Sequence, residues 1–203
     1  MDDLTRIANY LILHGRYQNN PGLFRGKAGT MLTMFLFSQK TGISLYRDFA
    51  EDILEDIQNQ LFDNLPLGMK DGLTGIAYSM SYLANNNILS FDQNEILCDI
   101  DEKIMSIDPR RISDFSIETG ALGVWAYINE RRKCQKTLTS IDEQYIREIE
   151  YLLIENGCAN AREFCFWENL TCPTFPFNEY IGQKLDIDGG SAYYLLKHSF
   201  CHD

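Results

Sequence analysis

The sequence predicts an all-α protein of repeated αα-hairpins, with four outer and four inner helices. Three observations lead there. Four glycine-marked segments recur, each followed by a run that is apolar nearly all round. Between those runs lie segments with one apolar stripe and one acidic face. The period-2 alternation of strands is nearly absent, whereas helical spacing is everywhere.

Taken in order, Leu4, Ile7, Ala8 and Leu11 make the first stripe. Gly26-Lys27-Ala28-Gly29 then opens an apolar run through Met31, Leu32, Met34, Phe35, Leu36 and Phe37, predicted as an inner helix over 27–40. A helix apolar on all sides is a buried one. In 44–63, Leu45, Phe49, Ile53, Ile57 and Leu61 recur every four residues, with Asp48, Glu51, Asp52, Glu55 and Asp56 opposite. Gly72-Leu73-Thr74-Gly75 opens the second inner helix, 73–86, and 91–107 carries the next stripe. Asp92 followed by Glu95 is a helix-start signal there. Gly120-Ala121-Leu122-Gly123 sits in the third inner helix, placed at 117–132. Ser140 and Glu143 form a capping-box pattern ahead of a stripe over 140–157. Gly189-Gly190-Ser191-Ala192 marks the fourth inner helix, 188–199.

The first glycines stand 46, 48 and 69 residues apart. Such periods signal repeat architectures, and the long last interval implies an insertion at about 158–186 within one domain spanning 1–203. Short loops make neighbouring helices antiparallel, so all inner helices run one way and their glycine-marked starts gather at one end. Glycine lets helix starts approach closely. The unpaired N–H groups and dipole ends of such a rim also favour anions or thiolates.

Eighteen Lys and Arg against 29 Asp and Glu give a net charge of −11. That argues against nucleic acid and anionic membrane as partners, since phosphate binding needs clustered basic residues. No stretch has the length of apolar chain that a spanning helix needs. The acidic Met1-Asp2-Asp3 start lacks the basic region of a secretory signal. The expected location is a reducing cytoplasm, with the six Cys (98, 134, 158, 165, 172 and 201) as thiols.

Gly22-Leu23-Phe24-Arg25-Gly26-Lys27-Ala28-Gly29 with its apolar helix resembles the opening of the lanthionine synthetase C-like family. The resemblance continues through Asp71-Gly72-Leu73-Thr74-Gly75-Ile76-Ala77, Ile104-Met105 and Ser116-Ile117-Glu118-Thr119-Gly120-Ala121-Leu122-Gly123. It implies a double-layered α/α toroid. It also implies thioether formation: a precursor-peptide Cys thiol adds to a dehydrated Ser or Thr, activated by zinc on Cys and His ligands. Zinc lowers the thiol pKa, so a thiolate exists at neutral pH. In the family those ligands sit at inner-helix starts. Here the corresponding residues are Lys27, Leu73, Ala121 and Gly190, none a zinc ligand. The Cys201-His202 pair is followed by Asp203, not by a glycine pair. Four hairpins are fewer than the family's ring contains, so the α/α toroid that the resemblance implies is a partial one. The expected cofactor is therefore none. The expected role is peptide modification, or that of a zinc-less relative binding a precursor peptide or a partner modification enzyme, with a homodimer through the open edge.

Other constellations offer alternatives. Cys158, Cys165 and Cys172 with Cys201 and His202 have the donor set of a zinc site, but no close Cys pair, and Gly157 and Pro173 interrupt the series. Asp71, Glu118 and Asp188 each lie one or two residues before a helix-start glycine. They read either as helix caps or as the paired carboxylates of a carbohydrate-active α/α enzyme, one kept protonated by its surroundings. The insertion gathers Phe164, Phe166, Trp167, Phe175, Phe177 and Tyr180 around Pro173 and Pro176. These aromatics either bind an extended peptide or plug the open edge. His14 and His198 have no Ser or Cys partner at a recognisable spacing. A purely structural interaction module is the third reading. The helix-start glycines singled out are Gly26, Gly29, Gly72, Gly75, Gly120, Gly123 and Gly189.

Overall fold

The computed structural model describes residues 2–61, 65–134, 140–158, 166–169, 176–182 and 184–200, and among these all regular structure is helical. The chain forms two compact units, Met1–Leu65 with Thr171–Asp203, and Pro66–Leu170.

In the first unit, α1 (Asp3–His14) starts at Asp2, whose carboxylate accepts from Thr5 N at 2.7 Å. The Thr5 side chain first, and then this backbone bond, hold the Asp2 carboxyl below its ordinary pKa. Helix α2 (Lys27–Thr41) is buried on every side from Lys27 to Phe37 and stops at left-handed Gly42 (φ 72°). Helix α3 (Ser44–Gln60) buries Tyr46, Phe49, Ala50, Ile53 and Ile57 and turns its acids outward, as the four-residue spacing requires. Helix α10 (Ser191–Phe200) packs against α2 and α1. Within this unit the last inner helix thus lies on the first hairpin.

In the second unit, α4 (Leu73–Asn85) packs on α7 (Ala121–Arg132), and α7 on α8 (Glu143–Glu155). The predicted 91–107 helix is two pieces, α5 (Gln93–Ile96) and α6 (Cys98–Met105), meeting at Leu97. The break brings Gln93 and Asp101 to one guanidinium. Arg131 Nη2 donates to Asp101 Oδ2 at 2.8 Å, with both side chains fully buried, and Nη1 approaches Gln93 Oε1 at 3.5 Å. Tyr127 donates to Asp101 Oδ1 at 2.5 Å, and burial pushes its hydroxyl pKa well up. Ser140 also donates to Asp101, so it does not cap α8. Asp142 caps that helix instead, accepting from Gln144 N at 2.8 Å.

Two inner helices start later than predicted, at 121 rather than 117 and at 191 rather than 188. Apolar Ile117 and Ile187 extend the helical pattern in sequence, but both belong to the preceding loops. The insertion aromatics pack inward. Phe166, in α9 (Phe166–Asn169), lies 4.6 Å from Tyr78 between ring centroids, and Trp167 lies 5.1 Å from Tyr82. In the first unit Tyr180, 1% exposed, stacks 4.6 Å from Tyr194, and Arg6 lies over the Phe177 ring. Each such burial contributes roughly 1.5–3 kcal/mol. Phe164, Pro173 and Phe175 lie outside the described residues.

Candidate functional site

The inner-helix starts are built on one plan. A loop runs back under each helix end so that the first helical N–H donates to a carbonyl seven residues earlier. In the first unit Lys27 N reaches Asn20 O at 2.8 Å and Ser191 N reaches Lys184 O at 2.9 Å. In the second, Leu73 N reaches Pro66 O and Ala121 N reaches Asp114 O, each at 2.9 Å. Following N–H groups do the same, as in Ala28 to Pro21, Thr74 to Leu67 and Ala192 to Leu185.

This accounts for the glycines. A Cβ on Gly26, Gly72, Gly120 or Gly190 would sit 1.9–2.6 Å from the loop carbonyl six residues back, closer than any side chain allows. A Cβ on Gly29 or Gly123 would meet Leu23 O at 2.2 Å or Ile117 O at 2.5 Å. Gly75 lies buried in the first turn of α4. The fourth repeat is corrected here. Its helix-start glycine is Gly190, with Tyr193 where the other repeats have the second glycine, and Gly189 is a loop residue at φ 79°. Loop carbonyls already take these leading N–H groups, so the expected anion-favouring rim is not formed by them.

Within each unit the two loops are joined in the same way. Asp188 N donates to Phe24 O at 3.1 Å in the first unit, and Lys70 N to Glu118 O at 2.8 Å in the second. An ion pair accompanies each: Arg25 Nε to Asp188 Oδ2 at 2.7 Å, and Lys70 Nζ to Glu118 Oε2 at 2.5 Å. Asp188 and Glu118 are thus spent on cations, and α2, α4 and α7 have no side-chain cap bond at all. Asp71 is half-buried one residue before Gly72 and belongs with Glu118 to the second unit, whereas Asp188 belongs to the first.

One acid that the sequence reading passed over stands out. Asp186 is 8% exposed, and its Oδ1 is buried without a hydrogen-bond partner among the described residues. Burial, then the nearby Asp188 charge, push its pKa up to about 6. Its place in the loop is held elsewhere by Gly22, Gly68 and Ser116. Small residues at the equivalent positions were the available signal.

The chain contains a region matched by the family model for lanthionine synthetase C-like protein over residues 17–174. The chain belongs to the lanthionine synthetase C-like family. No curated protein and no solved structure matches it. The first helical residues are Lys27, Leu73, Ala121 and Ser191, which supply neither thiolate nor imidazole. Among the described residues no group of three or more His, Cys, Asp or Glu is placed to hold a metal ion. Cys98, Cys134 and Cys158 are free thiols, and burial with the adjacent acids Glu102, Asp99 and Asp101 pushes the Cys98 pKa up. Cys165, Cys172, Cys201 and His202 lie outside the described residues. No helix among the described residues is long and apolar enough to cross a membrane.

Proposed function

We propose that this protein binds a precursor peptide of the kind that carries Cys and dehydrated Ser or Thr, and holds it without activating the thiol itself. The observation that carries this is family membership combined with helix starts that bear Lys27, Leu73, Ala121 and Ser191. Ring closure adds a thiol across a carbon–carbon double bond. Sulfur bonds to the β-carbon and a proton goes to the α-carbon. The thiol must lose its proton first, and the family's device is a metal with Cys and His ligands. Among the described residues the helix starts offer ion-paired side chains instead, Arg25 with Asp188 and Lys70 with Glu118. Paired with one another in this way, these groups do not draw off a thiol proton.

The test uses the full chain and a synthetic peptide with one cysteine and one dehydroalanine. Fluorescence anisotropy reads binding. Maleimide labelling followed by mass spectrometry reads the thiol. The expected result is binding with the peptide thiol still open to labelling. A zinc-dependent loss of labelling, with one zinc bound per chain, would replace the holding role with ring closure. No binding of the peptide would remove the reading altogether.

A further inference from the structure

Each unit fastens its two glycine loops with a clasp of three parts. In the first unit Asp188 N donates to Phe24 O, and the Asp188 carboxylate pairs with Arg25. Fully buried Ile187 fills the space over Gly29, where a Cβ would stand 3.1 Å from its Cγ2. In the second unit Lys70 N donates to Glu118 O, and Lys70 Nζ pairs with Glu118. There Met69 fills the space over Gly123, where a Cβ would stand 3.0 Å from its own Cβ.

The two clasps differ two residues before the joined positions. Three of the four loops have Gly22, Gly68 and Ser116 there, and the loop ahead of α10 has Asp186. The Asp186 main chain is pinned under α10. Tyr193 N donates to Asp186 O at 3.2 Å, and a Cβ on Gly190 would stand 2.7 Å from Asp186 N. The carboxyl is thereby held inside, with Oδ1 lacking a hydrogen-bond partner among the described residues.

The charges that face it do not neutralise it. Asp188 and exposed Lys184 act from its own loop, and Arg25 from the loop ahead of α2. Arg25 is engaged with Asp188. On α2, Lys27 is committed to Asp56 at 3.2 Å and Lys40 stands in the last turn. On α10 the charged residues, Lys197 and His198, are also in the last turn. Glu179, ahead of the loop, is exposed. A carboxylate so placed is far costlier to bury than the neutral acid, and it regains its hydration when the loop lifts.

We infer that loop 184–190 is a pH-sensitive clasp: with Asp186 neutral it stays closed on the start of α2, and with Asp186 ionised it opens locally, taking Asp188 off Phe24 and Arg25. The second unit's clasp, with Gly68 and Ser116 in the same slots, has no such response. The device belongs to the loop and does not depend on the function proposed above.

Amide hydrogen exchange of the full chain tests this, read residue by residue and corrected with an unfolded peptide for the pH dependence of exchange itself. The comparison is between Asp188 N–H and Lys70 N–H, the equivalent bonds of the two clasps. An acid at about 6 when closed and 3.8 when exposed lowers the protection of Asp188 by roughly tenfold between about pH 5 and about pH 8. Protection of Lys70 holds over the same range. Asp186→Asn removes the fall at Asp188, and Asp186→Ser, which puts the third loop's residue in the slot, does the same. Equal losses at Asp188 and Lys70 would show the whole chain loosening and would overturn the proposal. A pH-independent Asp188 amide in the parent, or an undiminished fall in both variants, would overturn it too.

Discussion

The two units solve the same problem with opposite treatment of a buried acid. Both join paired glycine loops by one backbone hydrogen bond and one ion pair. Behind the loops they part. The second unit buries Asp101 completely but surrounds it with Arg131, Tyr127 and Ser140. The first buries Asp186 and leaves one of its oxygens without a partner among the described residues. Burial alone therefore does not say whether an acid stabilises a fold. The donors around it decide.

The largest effect should come from breaking the satisfied site. Arg131→Met leaves the Asp101 carboxylate buried without its cation, which costs about 3–5 kcal/mol. Urea unfolding would register it as a lower midpoint with an unchanged slope, and a loss below about 1 kcal/mol would show the network to be ornamental.

The next effect has the opposite sign. Asp186 has a folded pKa of about 6, above its ordinary 3.8. The folded state therefore holds the proton more tightly than the unfolded one. Stability linked to this group is fully present below the unfolded value and is lost as pH rises through about 6. Asp186→Asn removes that loss and should stabilise the protein above pH 6 by at most about 3 kcal/mol, with little change near pH 3. Parallel pH–stability curves for variant and parent would refute the assignment.

The smallest effect belongs to the rims. Lys70→Met breaks the pair with a Glu118 side chain that is 43% exposed, and should cost less than about 1 kcal/mol. A larger drop in melting temperature would mean that the loop junction rests on the ion pair rather than on the Lys70 N–H bond to Glu118.

Much of this architecture is legible in the residues. Inner helices α2 and α4 follow from a glycine and an apolar run, because burial on all sides leaves no other pattern. The starts of α7 and α10 were misplaced because a loop that tucks Ile117 or Ile187 inward has the same local composition as a helix. Asp101 lies in the acidic stretch Asp99-Ile100-Asp101-Glu102, where nothing local separates the one buried acid from its solvated neighbours. Arg131 likewise stands in the polar run Asn129-Glu130-Arg131-Arg132, where nothing local separates the one fully buried cation from its neighbours.

The returning loops have a consequence for how this protein can change. Their register is fixed by main-chain bonds and by a Cβ-free residue, so it does not depend on which side chains stand just before that residue. The four loops present Phe24-Arg25, Lys70-Asp71, Glu118-Thr119 and Asp188-Gly189 there. A buried aromatic, cations, anions and a left-handed glycine all stand at these two positions. Each loop is in effect an interchangeable cartridge, so new recognition residues can be installed, or old ones discarded, with the helical scaffold left as it was.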